Sequence, residues 1–259
     1  MIDAWMEGQR DFDKLPGISV AIVKDQDLIY KKGFGVTDLQ KKTPTNSQTI
    51  YSICSISKLF TAIAIMKLWE EGKLRLDDSI SALLPSYNLR QQYAESVPIT
   101  IRSILTHSSG LPREAEYPYW SDDFKFPTAQ QVAEKLGTQQ TLYPASTYMQ
   151  YSNLGITLLG EIISKVSGQP YEKYIEENIL KPLRLADTKT HLPQELWGNR
   201  LATGYSALHR DGSRKAQPYF NAAGIPAAPG FSSTVEDLAR FAAWQFRLLQ
   251  KGGKEIIKA

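Results

Sequence analysis

Cysteine and histidine are scarce: the chain of 259 residues holds one Cys, Cys54, and three His, His107, His191 and His209. A single thiol excludes an internal disulfide and a thiolate zinc site. The histidines are scattered without metal-ligand spacing, so neither a metal nor another cofactor is expected. An excess of one charge is also lacking, with 30 Lys and Arg against 27 Asp and Glu. That balance argues against partners recognised by bulk charge, nucleic acid or an anionic membrane surface. Long hydrophobic runs are missing. The longest, Leu59 to Trp69, contains Thr61 and Lys67 and is too short to span a bilayer, so it reads as a helix buried in protein. The first thirteen residues are interrupted by acids and lead into no apolar core, which is not the pattern of a secretory leader; the compartment and the oligomeric state are left open. No repeat, low-complexity tract or Gly-x-Ser-x-Gly elbow occurs. What is present, 42% hydrophobic and 22% charged residues, suits a packed core of one large domain or two small ones.

The pattern opens with two β-branched runs, Ile18–Val23 and Leu28–Gly35, around the polar turn Lys24-Asp25-Gln26-Asp27, a hairpin signal. Gly33 and Gly35 form Gly-x-Gly without the third glycine of a nucleotide loop, and read as a glycine-marked strand end. Beyond residue 55 the period turns helical. Leu59, Ile63, Met66 and Leu68 predict a helix ending near Gly72, and Ile99–Thr106 a short one stopped by Gly110 and Pro112. Thr128-Ala-Gln-Gln131 is a capping box opening a helix to Gly137. Leu158, Leu159, Ile162, Ile163 and Val166 form a stripe closed by Gly168 and Pro170. Tyr171, Tyr174, Ile175 and Ile179 form another, stopped by Pro182. Ser233-Thr-Val-Glu236 predicts a second capping box, before a helix with Leu238, Phe241, Ala242 and Leu249 on one face. Arg113–Pro127 and Lys189–Gly230 read as ordered loops over a site.

Chemistry concentrates in Tyr51-Ser-Ile-Cys-Ser55-Ile-Ser-Lys58. Ser55 and Lys58, three apart at a helix start, share one face with Cβ atoms about 5–6 Å apart. A serine hydroxyl needs a base to become a useful nucleophile. A lysine at the positive end of a helix dipole, leading into an apolar run, is biased towards its neutral amine. The Ser55 N–H is placed to serve as one oxyanion donor. Such a motif occurs often by chance, but Tyr151-Ser152-Asn153 follows about a hundred residues later at the start of another helix. A tyrosine there can relay protons, and the Asn153 amide can hold the lysine or a substrate carbonyl.

With Pro16-Gly-Ile-Ser-Val-Ala, Tyr30-Lys-Lys-Gly-Phe-Gly, Ser55-Ile-Ser-Lys58, Ile104-Leu-Thr-His-Ser-Ser-Gly-Leu111, Tyr151-Ser-Asn153, Pro182-Leu183, Pro229-Gly-Phe-Ser-Ser-Thr234 and Asp237-Leu-Ala, the chain resembles the class C β-lactamase and penicillin-binding-protein-like serine hydrolases. The resemblance spans nearly the whole sequence. It implies an α+β, β-lactamase/transpeptidase-like fold, an antiparallel sheet flanked by helices plus a mainly helical region. It also implies Ser55 as nucleophile, Lys58 as its base, Tyr151 as proton relay and Asn153 as a substrate or lysine contact. Family members are often periplasmic or secreted. The resemblance further implies a small-molecule or peptide partner as substrate, a β-lactam, a D-amino-acid peptide or a small ester.

The family's third motif, Lys-Thr-Gly or His-x-Gly on a C-terminal strand, is not found. Ala202-Thr203-Gly204 comes too early and in a loop-like context, and Lys251-Gly-Gly follows a helix. The expectation is therefore one β-lactamase-like domain over 1–259 lacking its C-terminal strands. Residues 1–54 would carry the hairpin, 55–232 the mainly helical part with the site, and 233–259 a returning helix. Such a chain is expected to turn over slowly and to aggregate through its unpaired sheet edge, and a non-catalytic binding or scaffold protein is the alternative. Cys54 is expected to be a small buried residue, His107 a structural turn, and His191 and His209 solvent-facing loop residues. The aromatic loop Tyr117, Tyr119 and Trp120, with Phe124 and Phe126, is divided between cleft lining and core. Asp77-Asp78 is expected to cap a helix.

Overall fold

The hairpin forms where the β-branched runs predict it. In the computed structural model, which describes residues 1–117, 121, 123–219 and 221–258, helix α1 (Ile2–Phe12) precedes strands β1 (Gly17–Lys24) and β2 (Asp27–Gly35). The two strands pair antiparallel from Gly17 opposite Gly35 to Lys24 opposite Asp27. Asp25 makes the turn in the left-handed region, φ 56°. Gly33 and Gly35 have no phosphate-cradling role to explain: a Cβ on Gly33 would lie 2.4 Å from the Asn46 backbone, so the glycine permits a close chain crossing.

The order continues with β3 (Tyr51–Ser52), a 3₁₀ turn (Cys54–Ile56), α2 (Ser57–Glu70), α3 (Ile80–Leu83), α4 (Ile101–Leu105), α5 (Ala129–Leu136), α6 (Asn153–Ser167), α7 (Tyr171–Ile175), β4 (Ser232–Ser233) and α8 (Val235–Lys251). The fold is α+β. The chain divides into two units. The first comprises Met1–Ser52, Leu180–Tyr219 and Ser232–Ala259, the second Ile53–Ile179 and Phe220–Phe231.

In the first unit α8 packs on β1 and β2, and β3 pairs antiparallel with β4. Glu236, near the start of α8, accepts from Lys31 Nζ at 2.9 Å and from Ser47 Oγ at 2.8 Å. That commitment explains a correction: Ser233 does not open a capping box with Glu236. Ser233 lies in β4, and Thr234 is the cap, its Oγ1 accepting from the Asp237 N–H at 3.2 Å. Phe241 and Trp244 are the buried anchors of α8, whereas Leu249 is exposed and leaves the predicted stripe. The end of α8 instead meets the chain that follows it, Arg247 pairing with Glu255.

The second unit is helical. α2 carries Phe60, Ala64, Ile65 and Leu68 fully buried and packs against α6; Leu59, assigned to its apolar stripe, faces out. The buried stripe of α6 is Leu154, Leu158, Leu159, Ile162 and Ile163, each worth about 2 kcal/mol relative to exposure. It ends on Gly168 at φ 70°. The helix after Pro170 changes to a π turn over Glu176–Leu180 before Pro182. Asp77 and Asp78 do not cap a helix. Asp77 pairs with Arg102 at 2.8 Å, Asp78 accepts from the Arg75 N–H at 2.7 Å, and Ser79 caps α3 instead.

The predicted box at α5 is formed in both directions. Thr128 Oγ1 accepts from the Gln131 N–H at 3.2 Å, and Gln131 Oε1 accepts from the Thr128 N–H at 2.9 Å. Thr128→Ala is expected to lower stability by about 1 kcal/mol, read as a lower urea midpoint at unchanged slope. Of the aromatic loop, Phe126 is core, the Tyr117 hydroxyl donates to the Gln131 carbonyl at 3.3 Å, and Pro118, Tyr119 and Trp120 lie outside the described residues. No described helix is long and apolar enough to cross a membrane.

Candidate active site

The turn that carries Ser55 is built before α2 begins. Cys54 adopts φ 43°, a left-handed conformation uncommon for a residue with a side chain. The Ser57 hydroxyl holds this turn by donating to the Cys54 carbonyl and accepting from the Phe231 N–H at 3.0 Å. Ile53 donates to the Phe231 carbonyl at 2.9 Å. The turn presents Ser55 to solvent, and Cys54 is exposed beside it rather than buried as expected. The left-handed backbone is at Cys54 itself, and apolar patterning does not reveal it.

Lys58, in the first turn of α2, is 8% exposed. Its Nζ donates to Ser55 Oγ at 3.1 Å and to the Ala228 carbonyl at 3.1 Å. Burial pushes its pKa below the ordinary lysine value; the Tyr151 hydroxyl and Glu114 oppose the shift, and Arg113 adds to it. The carbonyl that steadies Lys58 is itself anchored. Thr61 Oγ1 donates to the adjacent Ala227 carbonyl at 2.7 Å and shares a 2.7 Å hydrogen bond with the buried Tyr171 hydroxyl. Ala228 had no sequence signal, because any residue can present a carbonyl.

Tyr151 comes from the residues that lead into α6. Its hydroxyl donates to Ser55 Oγ at 2.8 Å, and its ring lies 5.0 Å from Lys58 Nζ and 5.1 Å from the Arg113 guanidinium, within cation–π range. Ser152 caps α6: its Oγ accepts from the Gly155 N–H at 2.8 Å and donates to the Pro112 carbonyl at 2.7 Å. The Arg113 carbonyl accepts from Asn153 and Leu154 at 2.8 and 3.2 Å. Residues 107–114 thus seat the start of α6, and with it Tyr151.

Asn153 is 3% exposed. Its Nδ2 donates to Glu114 Oε1 at 2.5 Å, and Oδ1 has no hydrogen-bond partner among the described residues. The amide donor is therefore committed to Glu114, and the side chain offers an acceptor. Ser55, Lys58 and Tyr151 meet at one oxygen; Asn153 opens α6 two residues on, and its Oδ1 makes no hydrogen bond to Lys58. His191 and His209 are exposed, as expected. His107 is more than a turn: its ring centroid lies 4.4 Å from that of Tyr151. Sequence reasoning passed over Arg113 and Glu114, since a lone Arg-Glu pair after Pro112 has no motif.

A nucleophile-sized hydroxyl receiving a buried amine and a phenol is a proton-transfer arrangement fit for acyl chemistry. The Beta-lactamase family model matches residues 2–258. Protein flp of Staphylococcus aureus (strain NCTC 8325 / PS 47) is 32% identical over 248 residues, 94% of this chain and 48% of that protein. A protein of Escherichia coli (strain K12) named "Putative D-alanyl-D-alanine carboxypeptidase" is 29% identical over 234 residues, 82% of this chain and 52% of its own length. The octameric penicillin-binding protein homologue from Pyrococcus abyssi superposes with a TM-score of 0.84 at 33% identity, covering 99% of this chain and 57% of that one. The chain spans about half the length of the curated relatives it matches. With the motifs, the fold and these relatives in agreement, the chain belongs to the beta-lactamase family.

Proposed function

We propose that this protein is a serine hydrolase working through an acyl-enzyme, with Ser55 as nucleophile. The observation that carries this reading is the convergence of Lys58 Nζ at 3.1 Å and Tyr151 Oη at 2.8 Å on Ser55 Oγ. With Lys58 neutral, its contact with Ser55 reverses direction and its lone pair accepts the hydroxyl proton, directly or through Tyr151. Ser55 Oγ then bonds to the acyl carbon, and the leaving nitrogen or oxygen departs with the proton held on Lys58 or Tyr151. Water, deprotonated by the same groups, breaks the Oγ–acyl bond and restores the hydroxyl. The Ser55 N–H serves as one donor to the oxyanion. Asn153 Oδ1 is the acceptor that receives a substrate N–H or the lysine once charged.

The substrate is a β-lactam, a D-amino-acid peptide or a small ester. The carboxypeptidase name of the E. coli relative supports the peptide among these. The test is covalent capture: a fluorescent penicillin and a fluorophosphonate, each followed by peptide mapping. A stoichiometric adduct on Ser55 is expected. An adduct on the neighbouring Cys54, or none with either probe, would leave a non-catalytic binding protein as the better reading.

A further inference from the structure

His107 grips the chain on both sides of Tyr151. Its carbonyl accepts from the Gln150 N–H at 2.7 Å, and its Nδ1 accepts from the Ser152 N–H at 3.2 Å. Between these two points its ring lies against the Tyr151 ring, centroids 4.4 Å apart and planes tilted by 33°. His107 itself sits at φ 54°, a left-handed backbone that turns the imidazole back onto residues 150–152. Since Tyr151 is the residue whose hydroxyl reaches Ser55, three contacts from one side chain and its backbone define where that phenol stands.

We propose that His107 is a positioning residue for Tyr151, and that it acts only as the neutral imidazole bearing its proton on Nε2. This rests on the acyl-enzyme reading. A nitrogen that accepts from Ser152 N–H cannot carry a proton; protonation sets two N–H groups against each other and releases the start of α6. The surroundings favour the neutral form. Burial, then the nearby Lys58, hold the imidazole below its ordinary value. The charged and titratable groups around the clamp are Lys58 from α2, Tyr151, Arg113 5.1 Å from the centroid of that ring, and Glu114, bound to Asn153.

The test measures fluorophosphonate labelling of the full chain as a function of pH for the wild type, His107→Phe and His107→Asn, with Ser55→Ala as control. His107→Phe keeps a ring and loses the acceptor, and its maximal labelling rate is expected to fall about 10–100-fold, as for a displaced catalytic group. Asparagine tolerates left-handed backbone and brings an acceptor to the same N–H, so His107→Asn is expected to recover most of that loss. Its acid limb should drop from two ionisations to one. Nitrogen chemical shifts of His107 in the wild type should show the Nε2–H tautomer at neutral pH, a readout that needs no variant to fold. A proton on Nδ1, a His107→Asn profile superimposable on the wild type, or an undiminished rate in a folded His107→Phe would each overturn the proposal. Undiminished labelling of Ser55→Ala would instead sink the hydrolase reading on which it stands.

Discussion

Lys58→Met is expected to slow acylation of Ser55 about 1000-fold, within the range for loss of a positioned general base. Lys58→Arg should do the same while keeping the charge, because a guanidinium does not release its proton at accessible pH. The wild-type rate should climb with pH and level off below the ordinary lysine value, since burial lowers the Lys58 pKa; both variants should lack that climb. Folding carries the same sign. The unfolded chain binds the lysine proton more tightly than the folded one, so between the folded pKa and the unfolded value of about 10.4 stability rises with pH. Below the folded pKa the cost of a buried ammonium falls wholly on the native state. Methionine removes that cost but leaves the buried Ala228 carbonyl without its donor, and the two oppose. The unfolding free energy of Lys58→Met should therefore move by no more than about 1–3 kcal/mol. Stopped-flow labelling with a denaturation curve separates the two effects. A variant that labels at the wild-type rate would remove Lys58 from the chemistry.

Gly110→Ala is expected to lower stability by about 3 kcal/mol or more, a magnitude tied to backbone strain with steric overlap. Gly110 sits at φ 73°, and a Cβ there would lie 2.1 Å from the Tyr143 carbonyl oxygen. The obstacle is backbone, so no side-chain rotation relieves it. The Gly110 carbonyl accepts from the Leu142 N–H at 2.7 Å, and the Ser108 carbonyl from the Ser146 N–H at 2.7 Å. These rungs join residues 107–110 to the segment delivering Tyr151, so the same substitution should slow Ser55 labelling at temperatures where the protein stays folded. Urea titration checks the first effect and labelling below the transition the second. A midpoint within 0.5 M of the wild type, an allowance of about 1 kcal/mol at a typical urea slope, would show that the close approach is not required.

Local features were legible in the sequence where local physics decides them. The hairpin follows from β-branched runs and a polar turn, the α5 box from Thr128 and Gln131, and the end of α6 from Gly168. Ser233 misled because two hydroxyl residues precede α8 and either spells a cap. The choice of Thr234 was made by the pairing of β4 with β3 and by Glu236 turning to Lys31 and Ser47. Cys54 misled because its exposure depends on one backbone angle set by contacts to Phe231. Asn153 was legible as a polar residue at a helix start. Which of its two amide atoms stays free depended on Glu114, 39 residues away.

Ser55 and Lys58 share a helical face because their separation is one turn, a relation that covalent geometry imposes on any helix containing them. Membership of the family was written in short motifs for the same reason, since each records a turn, a cap or a nucleophile. The remainder of the site was assembled by folding alone: the Ala228 carbonyl under Lys58, the His107 clamp on Tyr151, and the phenol at 2.8 Å from a serine 96 positions earlier. Those contacts join segments with no sequence proximity, and their distances are set by packing of α2 against α6, which no local propensity encodes.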